Sequence, residues 1–134
     1  MSLSFYALLP PNQKAFSLEQ IQEALAPLLS SQSKPSFDFE DSPFGGKKNL
    51  LVVLPGWWVR FFKEQDEYVL SDSAHIAEIT AGAPSWVKSC GNRIRVLFGE
   101  DPSRTYTNEV LFISDWLTQE AKAAVYVPEE KIFW

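Results

Sequence analysis

Apolar and polar positions along the chain change their period several times, and each change marks an element. Leu3 to Leu9 is apolar on both sides of its alternation, which predicts an internal strand closed by Pro10-Pro11-Asn12. From Leu18 the spacing becomes helical: Leu18, Ile21, Leu25 and Leu28 recur at three, four and three residues, one stripe facing a core. Ser17 and Gln20 form a capping box, and Phe16 and Ile21 a hydrophobic staple. Pro27 has no donor for the carbonyl of Glu23, so the helix should kink or finish there. Phe37 and Phe39 then alternate with Asp38 and Glu40 as a short half-exposed strand, and residues 42–48 read as a turn or loop.

Leu50 to Leu54 and Trp57 to Phe62 read as two strands on either side of Pro55-Gly56. Two-residue hairpins prefer primed turns and Pro-Gly suits type II, so a slightly larger or bulged loop is expected, with one long kinked strand as the alternative. Ser71-Asp72-Ser73 offers capping groups for a second helix running to about Ala81, where Gly82 ends it; Pro84 starts a short turn through Cys90. Arg93 to Phe98 alternates cleanly, with Ile94, Val96 and Phe98 on one face and Arg93 and Arg95 on the other. Thr107 or Asn108 caps a third helix through about Gln119, with Val110, Ile113 and Leu117 in one stripe and Phe112 and Trp116 beside it. Ala124 to Val127 and Lys131 to Trp134 form a final hairpin. The order β-α-β-β-β-α-β-α-β-β, with few crossover helices, predicts an α+β fold. A single largely antiparallel sheet, with two or three helices packed on it, is expected over residues 1–134 as one domain.

Composition adds limits. A chain of 134 residues can close a full core, and ten Phe and five Trp make that core aromatic. The formal net charge of −5 argues against nucleic acid and anionic membranes as partners, since both are bound through excess Lys and Arg. Cys90 is the only cysteine, which excludes an internal disulfide. The first six residues lack the basic segment of a signal peptide, and the longest apolar run, Leu50 to Phe62, is broken by Pro55-Gly56 and carries Arg60. The cytoplasm is the expected compartment.

Candidate chemistry is sparse. Asp72, His75 and Glu78 are spaced so that a helix would bring them together, yet no second His or Cys completes a zinc set and acidic residues are common near helix starts. Cys90 could be a nucleophile only with His75 as its base, and a buried thiol is the simpler reading. Gly45-Gly46-Lys47-Lys48 lacks phosphate-loop spacing and precedes a strand. No catalytic residue, cofactor or metal is assigned. Trp57, Trp58, Arg60, Phe62, Arg93 and Arg95 are a candidate interface. On a strand Trp57 and Trp58 point to opposite faces, and Arg60 and Phe62 share the side of Trp58. That side is either covered by helices or left as a contact patch, and the arginines can equally pair with Asp38, Glu40 or Glu64 across the sheet.

Several segments together resemble a loose group of small acidic bacterial proteins, some of which resemble immunity proteins of toxin systems. The matching segments are Leu50 to Leu54, Gly56-Trp57, Val59 to Phe62, His75-Ile76-Ala77-Glu78, Arg93-Ile94-Arg95-Val96 and Gly99 to Pro102, within residues 49–134. The resemblance implies a non-enzymatic protein that acts by binding another, and it carries no catalytic residue with it. The expectation is therefore a protein-binding module, an immunity-type or regulatory partner of another bacterial protein. Two alternatives stand beside it: a small enzyme or ligand binder using Asp72, His75 and Glu78, and an assembly subunit whose terminal strands pair in a homodimer.

Overall fold

A computed structural model describes residues 3–11, 16–41 and 47–134 of the chain. Residues 42–46 of the turn expected over residues 42–48, with its two glycines, and the strand end at Asn12 lie outside them, and Lys48 already belongs to a strand. The strands are β1 (Ser4–Leu8), β2 (Ser36–Asp41), β3 (Lys48–Leu54), β4 (Trp57–Glu64), β5 (Arg93–Phe98), β6 (Ala124–Val127) and β7 (Ile132–Phe133). The helices are α1 (Leu18–Leu28), α2 (Glu67–Ile79) and α3 (Thr107–Gln119), with a 3-10 turn at Val87–Ser89. The strands form one sheet in the order β2-β3-β4-β5-β1-β6-β7, antiparallel throughout. The fold is α+β.

Alternation along each strand sorts the side chains onto two faces. On the first face, Phe5, Ala7, Leu50, Val52, Trp57, Val59, Phe61, Ile94, Val96 and Phe98 meet Ile21 and Leu25 of α1 and Ile113, Trp116 and Leu117 of α3. Helix α1 begins with the capping box the sequence predicts: Gln20 N donates to Ser17 Oγ, and Ser17 N donates to Gln20 Oε1. Pro27 falls in its last turn and the helix stops at Leu28. On the second face, Leu8 and Tyr126 pack under Ile76 of α2, Val87 and Cys90. Helix α2 and the 3-10 turn thus close the β1–β6 side of that face and the ends of β4 and β5 at Glu64 and Arg93.

The structure corrects three expectations. Helix α2 begins at Glu67, one turn before Ser71-Asp72-Ser73, because its buried stripe is Val69, Ser73 and Ile76; the serines lie inside the helix and Asp66 stands at its start. Helix α3 has Tyr106 at its N-cap with Thr107 as its first residue and no side-chain cap; the Asp101 carboxylate instead holds the entry to the helix, accepting from the backbone N–H of Thr105 and Tyr106. The β3–β4 connection is a two-residue turn with no bulge, since Leu54 pairs with Trp57. Gly56 sits at φ 72°, and the Pro55 ring fixes the negative φ before it, the type II combination. Burial of both Leu54 and Trp57 pins this register against the local preference for a wider loop.

Replacing Gly56 by alanine forces a Cβ into the left-handed region, so Gly56→Ala is expected to lower unfolding stability by about 1–2 kcal/mol in urea titration.

Candidate functional site

Beyond the edge of α2, the second face of the sheet carries Trp58, Arg60 and Phe62 on β4, Arg95 and Leu97 on β5, and Glu40 and Asn49 on β2 and β3. Strand register makes Arg60 the neighbour of Leu51 and Leu97, and Phe62 the neighbour of Arg95. Glu40, Asp41, Asn49, Arg60, Phe62, Arg95 and Leu97 line a depression of about 450 Å3. Trp58, Arg60, Phe62, Arg95 and Leu97 are all half-buried.

Each exposed guanidinium lies over an aromatic ring and against a carboxylate. Arg60 sits 4.6 Å from the centroid of Trp58 and donates through Nε to Glu40 Oε1 at 2.9 Å. Asn49 Nδ2 donates to the same oxygen at 2.8 Å, so β2, β3 and β4 are tied across their register. The Arg60 hydrogen bond, the largest influence, holds the Glu40 carboxyl below its ordinary value. Arg95 lies 4.8 Å from the Phe62 centroid. Its Nε is 3.3 Å from Glu64 Oε2 but has no hydrogen bond to any described residue. The Trp58 ring also rests on Gly99: a Cβ at that position would lie 2.8 Å from Trp58 Nε1, so only glycine accepts the indole there.

Where α2 meets the sheet, the charges are buried. Glu64 is 7% exposed and accepts from Arg93 Nε at 2.8 Å and from Tyr68 Oη at 2.8 Å. Arg93 is 3% exposed, also donates to Asp72 Oδ2 at 3.2 Å, and lies 4.2 Å from the Tyr6 ring centroid. Desolvation, then the hydrogen bond to Glu64 and its negative charge, push the Tyr68 hydroxyl up to about 12.

The sequence-derived candidates therefore separate. Trp58, Arg60, Phe62 and Arg95 share the uncovered surface. Trp57 is on the opposite face, 3% exposed, stacked between Phe98 and Tyr106 with Nε1 bonded to the Gly99 carbonyl. Arg93 is closed in beneath α2. Asp72 is engaged by Arg93, while His75 and Glu78 are exposed on α2. Among the described residues no group of three or more His, Cys, Asp or Glu is placed to hold a metal ion. Cys90 is buried and its thiol donates to the carbonyls of Leu9 and Asn92. Among the described residues no helix is long and apolar enough to cross a membrane.

Sequence reasoning put Glu64 and Glu40 forward only as pairing partners for the arginines, and it missed Asn49, Tyr68, Leu97 and Gly99. The signal for Glu64 was present: carrying the period of two from Trp58, Arg60 and Phe62 one step further reaches it. Tyr68 and Gly99 come to the site through tertiary packing, which local spacing does not encode.

No family model, no curated protein and no solved structure matches this chain.

Glu64→Gln leaves the buried Arg93 without a full countercharge, and is expected to cost about 3 kcal/mol of unfolding free energy in urea titration. Because Tyr68 titrates above its ordinary 10.0 when folded, its contribution is complete below pH 10.0 and fades as pH climbs through about 12. Tyr68→Phe should therefore flatten the fall of stability with pH across that alkaline window, read by chemical denaturation at stepped pH.

Proposed function

We propose that the chain is a non-enzymatic binding protein that grips another protein with the part of its sheet that α2 leaves uncovered. The observation carrying this reading is the half-exposed set Arg60, Phe62 and Arg95 around a depression of about 450 Å3, with Trp58 beneath the Arg60 guanidinium. Aromatic and arginine side chains are the residues most often found as energetic anchors of interfaces. Here both arginines are already laid on rings and set against carboxylates, so little side-chain freedom remains to be lost on association. The acidic side chains in the same lattice balance the arginines and disfavour a polyanion such as nucleic acid.

An immunity-type role, in which the chain blocks a toxin by occupying its surface, is the form of this reading that the resemblance supports; a regulatory partner of another bacterial protein is its wider form. Cys90, kept as a buried free thiol, supports a reducing compartment, the cytoplasm.

The test is affinity capture with the tagged full chain, followed by titration of the captured protein against variants of this face. Phe62→Ala and Leu97→Lys, each checked for unchanged unfolding, should weaken binding by about 30-fold. A captured partner that binds both variants as tightly as the wild type rules this face out.

A further inference from the structure

The helices that close the first face of the sheet leave a furrow on their own outer side. Helices α1 and α3 run past each other with Phe16 edge-on to Trp116 near one end, 5.3 Å between ring centroids. At the other, Gln32 bonds to Glu109 and to the Thr105 carbonyl. Between them Ala24, Pro27 and Leu28 of α1 face Phe112 and Trp116 of α3 across a cavity of about 390 Å3. Phe112 is 36% exposed, so a large aromatic side chain stands in the open at the furrow.

Among the described residues, the charged side chains that line this furrow are both acidic. Asp115 and Glu120 line it, and Glu19 and Glu23 are exposed on α1. Neither α1 nor α3 contains a lysine or an arginine. Lys122, exposed two residues past the C-cap of α3, is the nearest cation in sequence. Both helices also end without a basic residue in the last turn. Glu120 stands at the α3 C-cap, where local helix stability would favour a cation.

We propose that this furrow docks a basic amphipathic helix of a partner protein, at a surface separate from the uncovered sheet face. The shape is that of a helix-binding groove, an apolar floor between two packed helices into which a third can lay one stripe of side chains. With 11 residues, α1 offers about 16 Å of groove, enough for about three turns of a partner helix. The charge selects among occupants. Anionic lipid and nucleic acid are repelled by the acidic rim. A second copy of this chain would bring two acidic rims together, which like-charge contact disfavours. A helix with leucine-type side chains on one face and Lys or Arg along its flanks meets both the floor and the rim.

The experiment uses the full, isotope-labelled chain and two synthetic peptides of 14 residues that share one leucine stripe, flanked by lysines in one and by glutamates in the other. Amide shifts are followed by NMR, and affinity by titration at low and raised salt. The lysine peptide is expected to bind saturably, to shift the amides of Ala24, Leu28, Phe112 and Trp116, and to weaken as salt rises. Reversing the rim with Asp115→Lys and Glu120→Lys, or removing the exposed ring with Phe112→Ser, should each reduce its affinity by about tenfold with unfolding unchanged. Absent or unsaturable binding, equal binding of the glutamate peptide, or shifts confined to the sheet face would overturn the proposal. Concentration-dependent self-association that Phe112→Ser abolishes would overturn it too, by naming a second copy as the occupant.

Discussion

Glu64 is the point at which the second face of the sheet is held together. Its two carboxylate oxygens meet Arg93 and Arg95 from β5 and Tyr68 from α2, and Arg93 in turn reaches Asp72 one turn further along the helix. A buried guanidinium such as that of Arg93 is tolerated only when its charge and donors are matched nearby, because desolvation otherwise outweighs what packing returns. Helix α2 can therefore settle on this face only in the position where its tyrosine and aspartate complete the network. The apolar contact beneath it, Leu8 and Tyr126 under Ile76, Val87 and Cys90, is small beside the core on the other side. Ionic geometry sets where the helix lies, and apolar burial keeps it there.

That arrangement divides the molecule's chemistry. The first face is closed by α1 and α3 over a continuous aromatic and aliphatic core. The second face is closed on one side and open on the other, and the boundary runs along Glu64 and Arg95. Under α2 the arginine is spent on the fold. Past its edge, the same combination of arginine, aromatic ring and carboxylate is repeated by Arg60, Trp58 and Glu40, but in contact with solvent. A lattice of this kind is stiff without being buried, since each long side chain is held from two directions. Stiffness at a surface suits recognition, because side chains already ordered lose little entropy when a partner arrives.

Much of the fold was legible in the chain because it rests on short-range rules. The order of strands and helices follows from periods of two and of three to four, and the Ser17–Gln20 capping box and the Pro27 stop act within a single turn of backbone. The opposite orientation of Trp57 and Trp58 was equally determined, since alternation along a strand admits no other outcome. The same rules mislead where distant burial overrides a local preference. Ser71 and Ser73 have the chemistry of caps, yet the stripe of Val69 and Ile76 draws them into the helix, and the Leu54–Trp57 pair holds a two-residue type II turn where hairpin twist by itself favours a primed or wider one.

What the sequence determined by itself was therefore the element order, the α+β class and the facing of each strand residue. What only the tertiary structure decided was which arginine is buried and which reaches solvent, and that Gly99 seats Trp58. It also decided that two acidic helices meet over an apolar furrow. Each of these depends on side chains brought together from distant parts of the chain, such as Glu40 beside Arg60 or Ala24 facing Phe112. Spacing along a chain fixes which way a side chain points, but only the packing of whole elements fixes what it finds there.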